Sequence, residues 1–171
     1  MDYPVEQLIE LDETKSFLRA ARRYCSFIEL TAKTDAEFLE ELELVLLELY
    51  KQATTLRSAT LQHNINFDDR RSDDESARIL HEIAKKLGAA RHYWEVFDPL
   101  DHEDTDSVCG DLLDDLGDIY RDLKTGLMIF ERGTMASREG ALWQLKFGFD
   151  SHWGRHAVGA LKAVFFFRGR S

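Results

Sequence analysis

Five aspartates within residues 111–122 form the most concentrated set of potential metal ligands in the chain. On a helix they would share an arc of roughly 100°, with leucines on the opposite side. Like charges three or four residues apart repel by about 0.2–0.5 kcal/mol per pair, and a hard cation would relieve that repulsion. The stripe is therefore either a solvated or arginine-paired helix face, or a metal or substrate site. Its members are Asp111, Asp114, Asp115, Asp118 and Asp122.

Two histidines four residues apart, His152 and His156, offer further ligands in the segment FDSHWGRHAVGAL. This spacing places both imidazoles on one helix face, where they can bind a single metal ion. On a helical wheel the same face carries Leu145 and Phe149, so a pair of buried, hydrogen-bonded core histidines is the alternative interpretation.

Together the two segments predict one candidate site, provided that their helices are antiparallel neighbours. The short break at residues 132–134 makes this packing plausible. Arg155 lies beside the histidines and could either pair with an aspartate or hold an anion. The candidate residues are Asp111, Asp115, Asp118, Asp122, His152, Arg155 and His156. The predicted metal ligands are Asp115, Asp118 and His156, and the candidate ions are Mg²⁺ and Mn²⁺, which favour carboxylate oxygens.

Length and charge limit the classes of protein to which the chain can belong. The 171 residues predict a single helical domain over residues 1–171 with a substantial core. A net charge of −10 repels phosphate backbones, so we expect no nucleic-acid binding. No run of about 18 apolar residues occurs, so we expect no membrane span. The N-terminus lacks a signal-peptide pattern, and we expect a cytoplasmic location.

Apolar residues at helical spacing predict an all-α fold, a bundle of four to five long helices with two longer loops. Cys25 and Cys109 are both expected in helices, as small apolar residues. The loops span 56–71 and 89–105, and the second is a packed connector with room for a helical turn. The predicted helices are 12–31, 34–55, 72–87, 106–131 and 135–166.

Three segments carry a family resemblance: VFDP at 96–99, DDLGDIYRDLKTGL at 114–127 and FGFDSHWGRHAVGAL at 147–161. In combination they resemble the bacterial domain-of-unknown-function family 5063, from the first helix to about Leu161. The resemblance implies a small, cytoplasmic, all-helical domain. It implies no activity, cofactor or catalytic residue.

Two functions from different classes fit these features. The first is an acidic helical module that binds another protein or forms a homodimer, with Phe165, Phe166 and Phe167 as an apolar contact. The alternative is a divalent-metal-dependent hydrolase of a phosphorylated small molecule or nucleotide, using the Asp111–Asp122 stripe and the two histidines. The hydrolase requires the aspartates and histidines to converge, and it fails if the aspartates face bulk water. The sequence leaves open whether the protein is an enzyme.

Overall fold

The computed structural model describes residues 4–30, 35–63, 73–96, 98–103 and 106–169. Within these residues the chain is mostly helical, which confirms the predicted all-α class, and it adds one antiparallel hairpin. The elements in chain order are α1 (Val5–Leu8), α2 (Asp12–Leu30), α3 (Asp35–Thr55), α4 (Asp73–Leu87), β1 (His92–Val96), β2 (Ser107–Asp111), α5 (Leu112–Glu131), α6 (Met135–Gly148), a π-helical turn (Phe149–Trp153) and α7 (Gly154–Arg168).

Helix α5 is the central element, because it packs against α2, α6 and α7. Its leucine side is buried, as the helical period predicts, and α2 and α3 close the core around it. The hydroxyl of Tyr24, a fully buried residue of α2, donates a hydrogen bond to the backbone oxygen of Leu116, at 2.9 Å. The core therefore fixes one side of α5 and leaves its aspartate side facing α7.

The link between α5 and α6 is short, and its residues favour a sharp change of direction. Gly133 has φ +81°, a backbone conformation that glycine adopts without strain. Thr134 caps α6 by accepting a hydrogen bond from the backbone N–H of Ser137 at 3.1 Å. This link brings α6, and the helical residues that continue it, back along α5.

The connector predicted at 89–105 is wrong in part, because residues 92–96 form strand β1 rather than a helical turn. β1 pairs with β2 in antiparallel register, with Trp94 opposite Cys109. The helix predicted from 106 is also wrong in its first residues, since α5 begins only at Leu112. Cys109 is consequently an exposed strand residue rather than an apolar helix residue, whereas Cys25 is buried in α2 as predicted.

The helix predicted over 135–166 is interrupted by the π-helical turn. Gly154 makes this turn possible, because a Cβ atom there would lie 2.2 Å from the carbonyl oxygen of Phe149. The indole N–H of the buried Trp153 donates to the backbone oxygen of Leu145 at 3.3 Å. π-Helical turns within α-helices occur often at functional sites, and this one carries His152.

The first part of the loop predicted at 56–71 is described to His63, and it packs against α6. Leu56 and Ala59 are buried. The buried carboxylate of Glu139 accepts hydrogen bonds from the backbone N–H groups of Gln62 and His63, at 2.6 and 2.9 Å. The rest of the predicted loop lies outside the described residues.

Candidate metal centre

The aspartate side of α5 faces another helix rather than bulk water. Asp115 is buried, Asp118 and Asp122 are partly buried, and only Asp114 of the helical aspartates is exposed. Asp115 contacts His156 and Asp122 contacts His152. Since the later aspartate meets the earlier histidine, α5 runs antiparallel to the π-helical turn and α7, which is the packing that the candidate site requires.

In both histidines the ring nitrogen Nδ1 contacts a carboxylate. Nδ1 of His152 lies 2.8 Å from Oδ2 of Asp122, and Nδ1 of His156 lies 2.8 Å from Oδ1 of Asp115. Nε2 of His156 lies 3.4 Å from Oδ2 of Asp118. The two imidazole rings are 5.0 Å apart between centroids and meet edge to face. The aspartate and histidine side chains therefore contact one another directly, in addition to lying on neighbouring helices.

Asp118, His152 and His156 bring one potential ligand atom each to within 4.8 Å of one another. Ligands bound at about 2.0–2.2 Å from a single ion lie roughly 4.4 Å apart or less. The described positions come within a few tenths of an ångström of that limit, so small side-chain rotations would complete a three-ligand site. Among the described residues this is the only such group of histidine, cysteine and acidic side chains.

Asp115 differs from Asp118 because both of its oxygens already have partners. Oδ1 faces His156, and Oδ2 accepts a hydrogen bond from the hydroxyl of Tyr93 at 2.7 Å. Burial raises the pKa of Tyr93, and the hydrogen bond to Asp115 adds to that rise. The tyrosine is therefore neutral and serves as a hydrogen-bond donor.

Sequence reasoning missed Tyr93, which strand β1 brings to the site. Two glycines make room for its ring. A Cβ atom at Gly110 would lie 2.5 Å from Cζ of Tyr93, and one at Gly159 would lie 2.6 Å from its hydroxyl oxygen. The signal available in the sequence was the alternating aromatic segment HYWEV, which is typical of a strand.

The carboxylates around His156 make its protonation more favourable. The hydrogen bond to Asp115 raises the pKa of His156, and the charges of Asp115 and Asp118 raise it further. Partial burial and the charge of Arg155 act in the opposite direction and are outweighed. Asp118 also pairs with Arg121 of the same helix.

Two predicted site residues take no part in these hydrogen bonds and ion pairs. Asp111 is the last residue of β2 and caps α5 by accepting from the backbone N–H of Leu113. It also forms an ion pair with Arg91, with Nη2 2.6 Å from Oδ2, and this guanidinium lowers the pKa of Asp111. Arg155 is exposed and makes no ion pair within the described part of the chain.

A groove of about 340 Å³ opens beside the cluster and reaches His152. We call it the aromatic groove, because α6 contributes two aromatic side chains to its wall. It is lined by Asp122, Trp143, Gln144, Phe147, Gly148, Ser151 and His152. The groove gives a small molecule a route from solvent to the His152 end of the cluster.

The model of the family described as "Domain of unknown function (DUF5063)" matches residues 9–168. The chain belongs to this family. The match confirms the resemblance that the three sequence segments indicated, and the family brings no known activity.

The fold is also found in a solved structure. The crystal structure of protein BF1032 from Bacteroides fragilis is similar, with a TM-score of 0.80 and 20% sequence identity, over 93% of this chain and 94% of that one. At this identity the similarity shows the shared fold alone. The comparison with curated proteins gives no match. Across the described ranges, no helix is both long and apolar enough to cross a membrane.

Proposed function

We propose that this DUF5063 protein binds one divalent transition-metal ion through Asp118, His152 and His156 and uses it to hydrolyse a small molecule. The observation that carries the proposal is the pairing of each histidine with a carboxylate. Metal-binding histidines almost always give their second ring nitrogen to a carboxylate, carbonyl or water, which fixes the tautomer and the ring orientation. Here Asp122 and Asp115 supply that contact to His152 and His156.

The pairing also determines which nitrogen would bind the ion. When Nδ1 carries the proton that each carboxylate accepts, Nε2 keeps its lone pair for a metal. Asp115 orients His156 rather than binding the ion, because its two oxygens already contact His156 and Tyr93. Asp118, which the sequence also proposed as a ligand, remains one. His152 joins it in place of Asp115.

The ligand set favours some ions over others. Two imidazoles and one carboxylate suit Mn²⁺, Fe²⁺ or Zn²⁺, whereas Mg²⁺ prefers oxygen ligands and keeps its water. Of the two ions that the sequence suggested, Mn²⁺ therefore fits this set better than Mg²⁺. Three protein ligands leave positions open for water and substrate, as in metal centres that catalyse reactions.

Hydrolysis follows from these open positions. A bound divalent metal can lower the pKa of a coordinated water to about 7 and so supply hydroxide at neutral pH. Arg155 is exposed, follows the ligand His152 by three residues and precedes His156, so its free charge is available to an anionic substrate. These features support a phosphate ester of a small molecule as the substrate class.

Metal binding is the first test. Chelator-treated protein would be titrated with Mn²⁺ and followed by electron paramagnetic resonance, alongside Asp118→Asn and Asp122→Asn. We expect Asp118→Asn to abolish tight binding, and Asp122→Asn to weaken binding by about 10–100-fold, as is usual for a residue that orients a ligand. Asp114→Asn is the matched control, since Asp114 is an exposed aspartate of the same helix. Equal loss in Asp114→Asn and Asp118→Asn would contradict the assignment.

The hydrolytic step needs its own assay. The Mn²⁺-loaded protein would be tested on p-nitrophenyl phosphate and on p-nitrophenyl acetate, with Arg155→Gln beside the unchanged chain. We expect release of p-nitrophenol from the phosphate ester, with a higher KM in Arg155→Gln. Tight Mn²⁺ binding without turnover of either ester would retain the metal site and reject the hydrolase.

A second candidate function, self-association, rests on an exposed apolar patch at the C-terminal end of α7, the helix that carries His156. Phe165 and Phe166 are 65% and 55% exposed. They line a groove of about 530 Å³ with residues of the first turns of α3, including Leu39. A homodimer would cover this patch. Light scattering on a Phe165→Ser/Phe166→Ser double variant tests it, and a monomer in both proteins would reject it.

A further inference from the structure

The aromatic groove contains a pair of stacked aromatic rings beside the proposed metal. Trp143 and Phe147 lie parallel, with ring centroids 4.9 Å apart and an interplanar angle of 5°. Phe147 is 54% exposed although it is a large apolar side chain. A planar ring can extend this stack on the outer face of Phe147, and stacking on an aromatic side chain favours binding.

A residue of the same groove holds an unused hydrogen-bond acceptor. Gln144 lines the groove, and its Oε1 atom is buried behind the groove surface with no hydrogen-bond partner among the described residues. A rotation of the Gln144 side chain would bring this atom into the groove. Leaving a buried polar atom unpaired destabilises the folded chain. An acceptor of this kind is satisfied by an N–H or O–H donor. A ligand that brings such a donor removes the penalty when it binds.

The groove's charged residues are confined to one end. Asp122 and His152 are its only charged or titratable lining residues within the described chain. The rest of the wall is Trp143 and Phe147, with the neutral groups of Gln144, Gly148 and Ser151. The part of a ligand that fills the groove is therefore uncharged, and its reactive or anionic part lies at the His152 end.

We propose that the aromatic groove binds a planar ring that carries an N–H group. The ring stacks on Phe147, the N–H donates to Oε1 of Gln144, and the substituent to be cleaved points toward the ion at His152. The cleavable substituent rests on the proposed function, whereas ring binding itself does not need the metal. An indole-type ring and a nucleobase share this chemistry.

Matched probes test the N–H requirement directly. Binding of indole and 1-methylindole, and of 9-methyladenine and N6,N6,9-trimethyladenine, would be measured by saturation-transfer NMR with and without Mn²⁺. We expect the more methylated probe of each pair to bind about three- to tenfold more weakly than its parent, because the N–H to Gln144 is lost. The pair that binds more tightly identifies the class of ring. Equal affinity within both pairs would overturn the proposal.

Matched variants test the surface. Phe147→Ser should weaken indole binding by roughly fivefold or more, through lost stacking. Trp94→Ser removes an exposed aromatic side chain outside the groove and should leave binding unchanged. Gln144→Met keeps the side-chain length but lacks the acceptor, so the difference between indole and 1-methylindole should disappear. The proposal is wrong if Phe147→Ser and Trp94→Ser behave alike.

The two proposals fail separately. Mn²⁺ binding that depends on Asp118, together with no preference for N–H probes, would reject the ring site and keep the metal centre. Preferential indole binding in the Asp118→Asn variant, which no longer binds Mn²⁺ tightly and whose substituted residue does not line the groove, would establish the ring site without the metal. The comparison therefore assigns a failure to one proposal or the other.

Discussion

The hydrogen bond between His156 and Asp115 should make the stability of the metal-free protein depend on pH in a defined direction. The folded state raises the pKa of His156 above its ordinary 6.5, because of the hydrogen bond to Asp115 first and then the nearby carboxylate charges. Protonated His156 therefore stabilises the folded state. This contribution is complete below pH 6.5 and is lost as the pH rises through the raised pKa.

The size of the effect follows from the geometry of the pair. Nδ1 and Oδ1 are 2.8 Å apart, and the side chains of His156 and Asp115 are only 17% and 10% exposed. A hydrogen bond with charged partners contributes about 1.5–3 kcal/mol to the free energy of unfolding. In a domain of this size each kcal/mol moves the melting temperature by about 2–4 °C, so breaking the pair should lower it by roughly 3–12 °C under mildly acidic conditions.

A double-mutant cycle isolates this pair. The free energy of unfolding would be measured by urea denaturation for the unchanged chain, Asp115→Asn, His156→Gln and the double variant. Measurements at about pH 6 and about pH 9, both in chelator, compare charged and neutral imidazole. We expect the coupling energy between the two residues to be larger at the lower pH. Asp114→Asn, an exposed neighbour on α5, should show little coupling to His156.

Two results would refute the reasoning. A coupling energy that is the same at both pH values would mean that protonation of His156 does not strengthen the contact. NMR titration of the imidazole in the metal-free protein gives the second result. If His156 titrates at or below 6.5, or if Asp115→Asn leaves its titration unchanged, then the carboxylate does not raise its pKa as inferred.

Three further substitutions test the surroundings of the site. Gly154→Ala would place a Cβ atom 2.2 Å from the Phe149 carbonyl oxygen, and urea denaturation should show a loss of about 1–3 kcal/mol from overpacking. Tyr93→Phe removes the donor to Asp115 and should cost about 1.5–3 kcal/mol by the same measurement, while Mn²⁺ affinity falls less than in Asp118→Asn. Glu139→Gln weakens the acceptor of two loop N–H groups, so hydrogen exchange at those two amides should speed up.

The long helices were predictable because their apolar residues recur at a period of 3.6. The predicted helix 12–31 corresponds to α2, Asp12–Leu30, and the helix predicted over 34–55 corresponds to α3, Asp35–Thr55. The apolar face that this period creates is the face that packs into the core. Within the described residues, these elements needed no information beyond the sequence pattern.

The hairpin was not predicted, because its strands are five residues long and the aspartate pattern of α5 extends backward into the second one. Asp111 looks like a member of the helical stripe, yet it is the residue that caps the helix. Aspartate is among the preferred residues at this position, and Gly110 immediately before it disfavours a helix interior. The preference of Asp111 for the N-cap position, rather than its place in the aspartate stripe, marks the start of α5 at Leu112.

The candidate site was predictable to the level of neighbouring helices. The short break before α6 implied that the aspartates and the histidines could meet. The partners themselves depend on axial alignment, which sets His156 against Asp115 and His152 against Asp122, and no sequence pattern specifies that alignment. Tyr93 was missed because a strand, rather than a helix, brings it to Asp115.

The charges of the cluster connect its two predicted behaviours. Among the described residues, Asp115, Asp118 and Asp122 form one ion pair with a guanidinium, between Asp118 and Arg121. Two negative charges remain, and one divalent ion bound by neutral imidazoles would balance them. A proton and the metal therefore compete for His156, whose pKa the carboxylates raise.

This competition has a measurable consequence. Mn²⁺ binding should release protons, and its affinity should fall as the pH is lowered. Calorimetry in two buffers of different ionisation enthalpy counts the protons released. Release should be smaller in Asp115→Asn, because loss of this carboxylate lowers the pKa of His156 and leaves fewer protons for the metal to displace. If the unchanged chain releases no protons below pH 6.5, the ion does not bind through Nε2, the nitrogen on which His156 takes up its second proton.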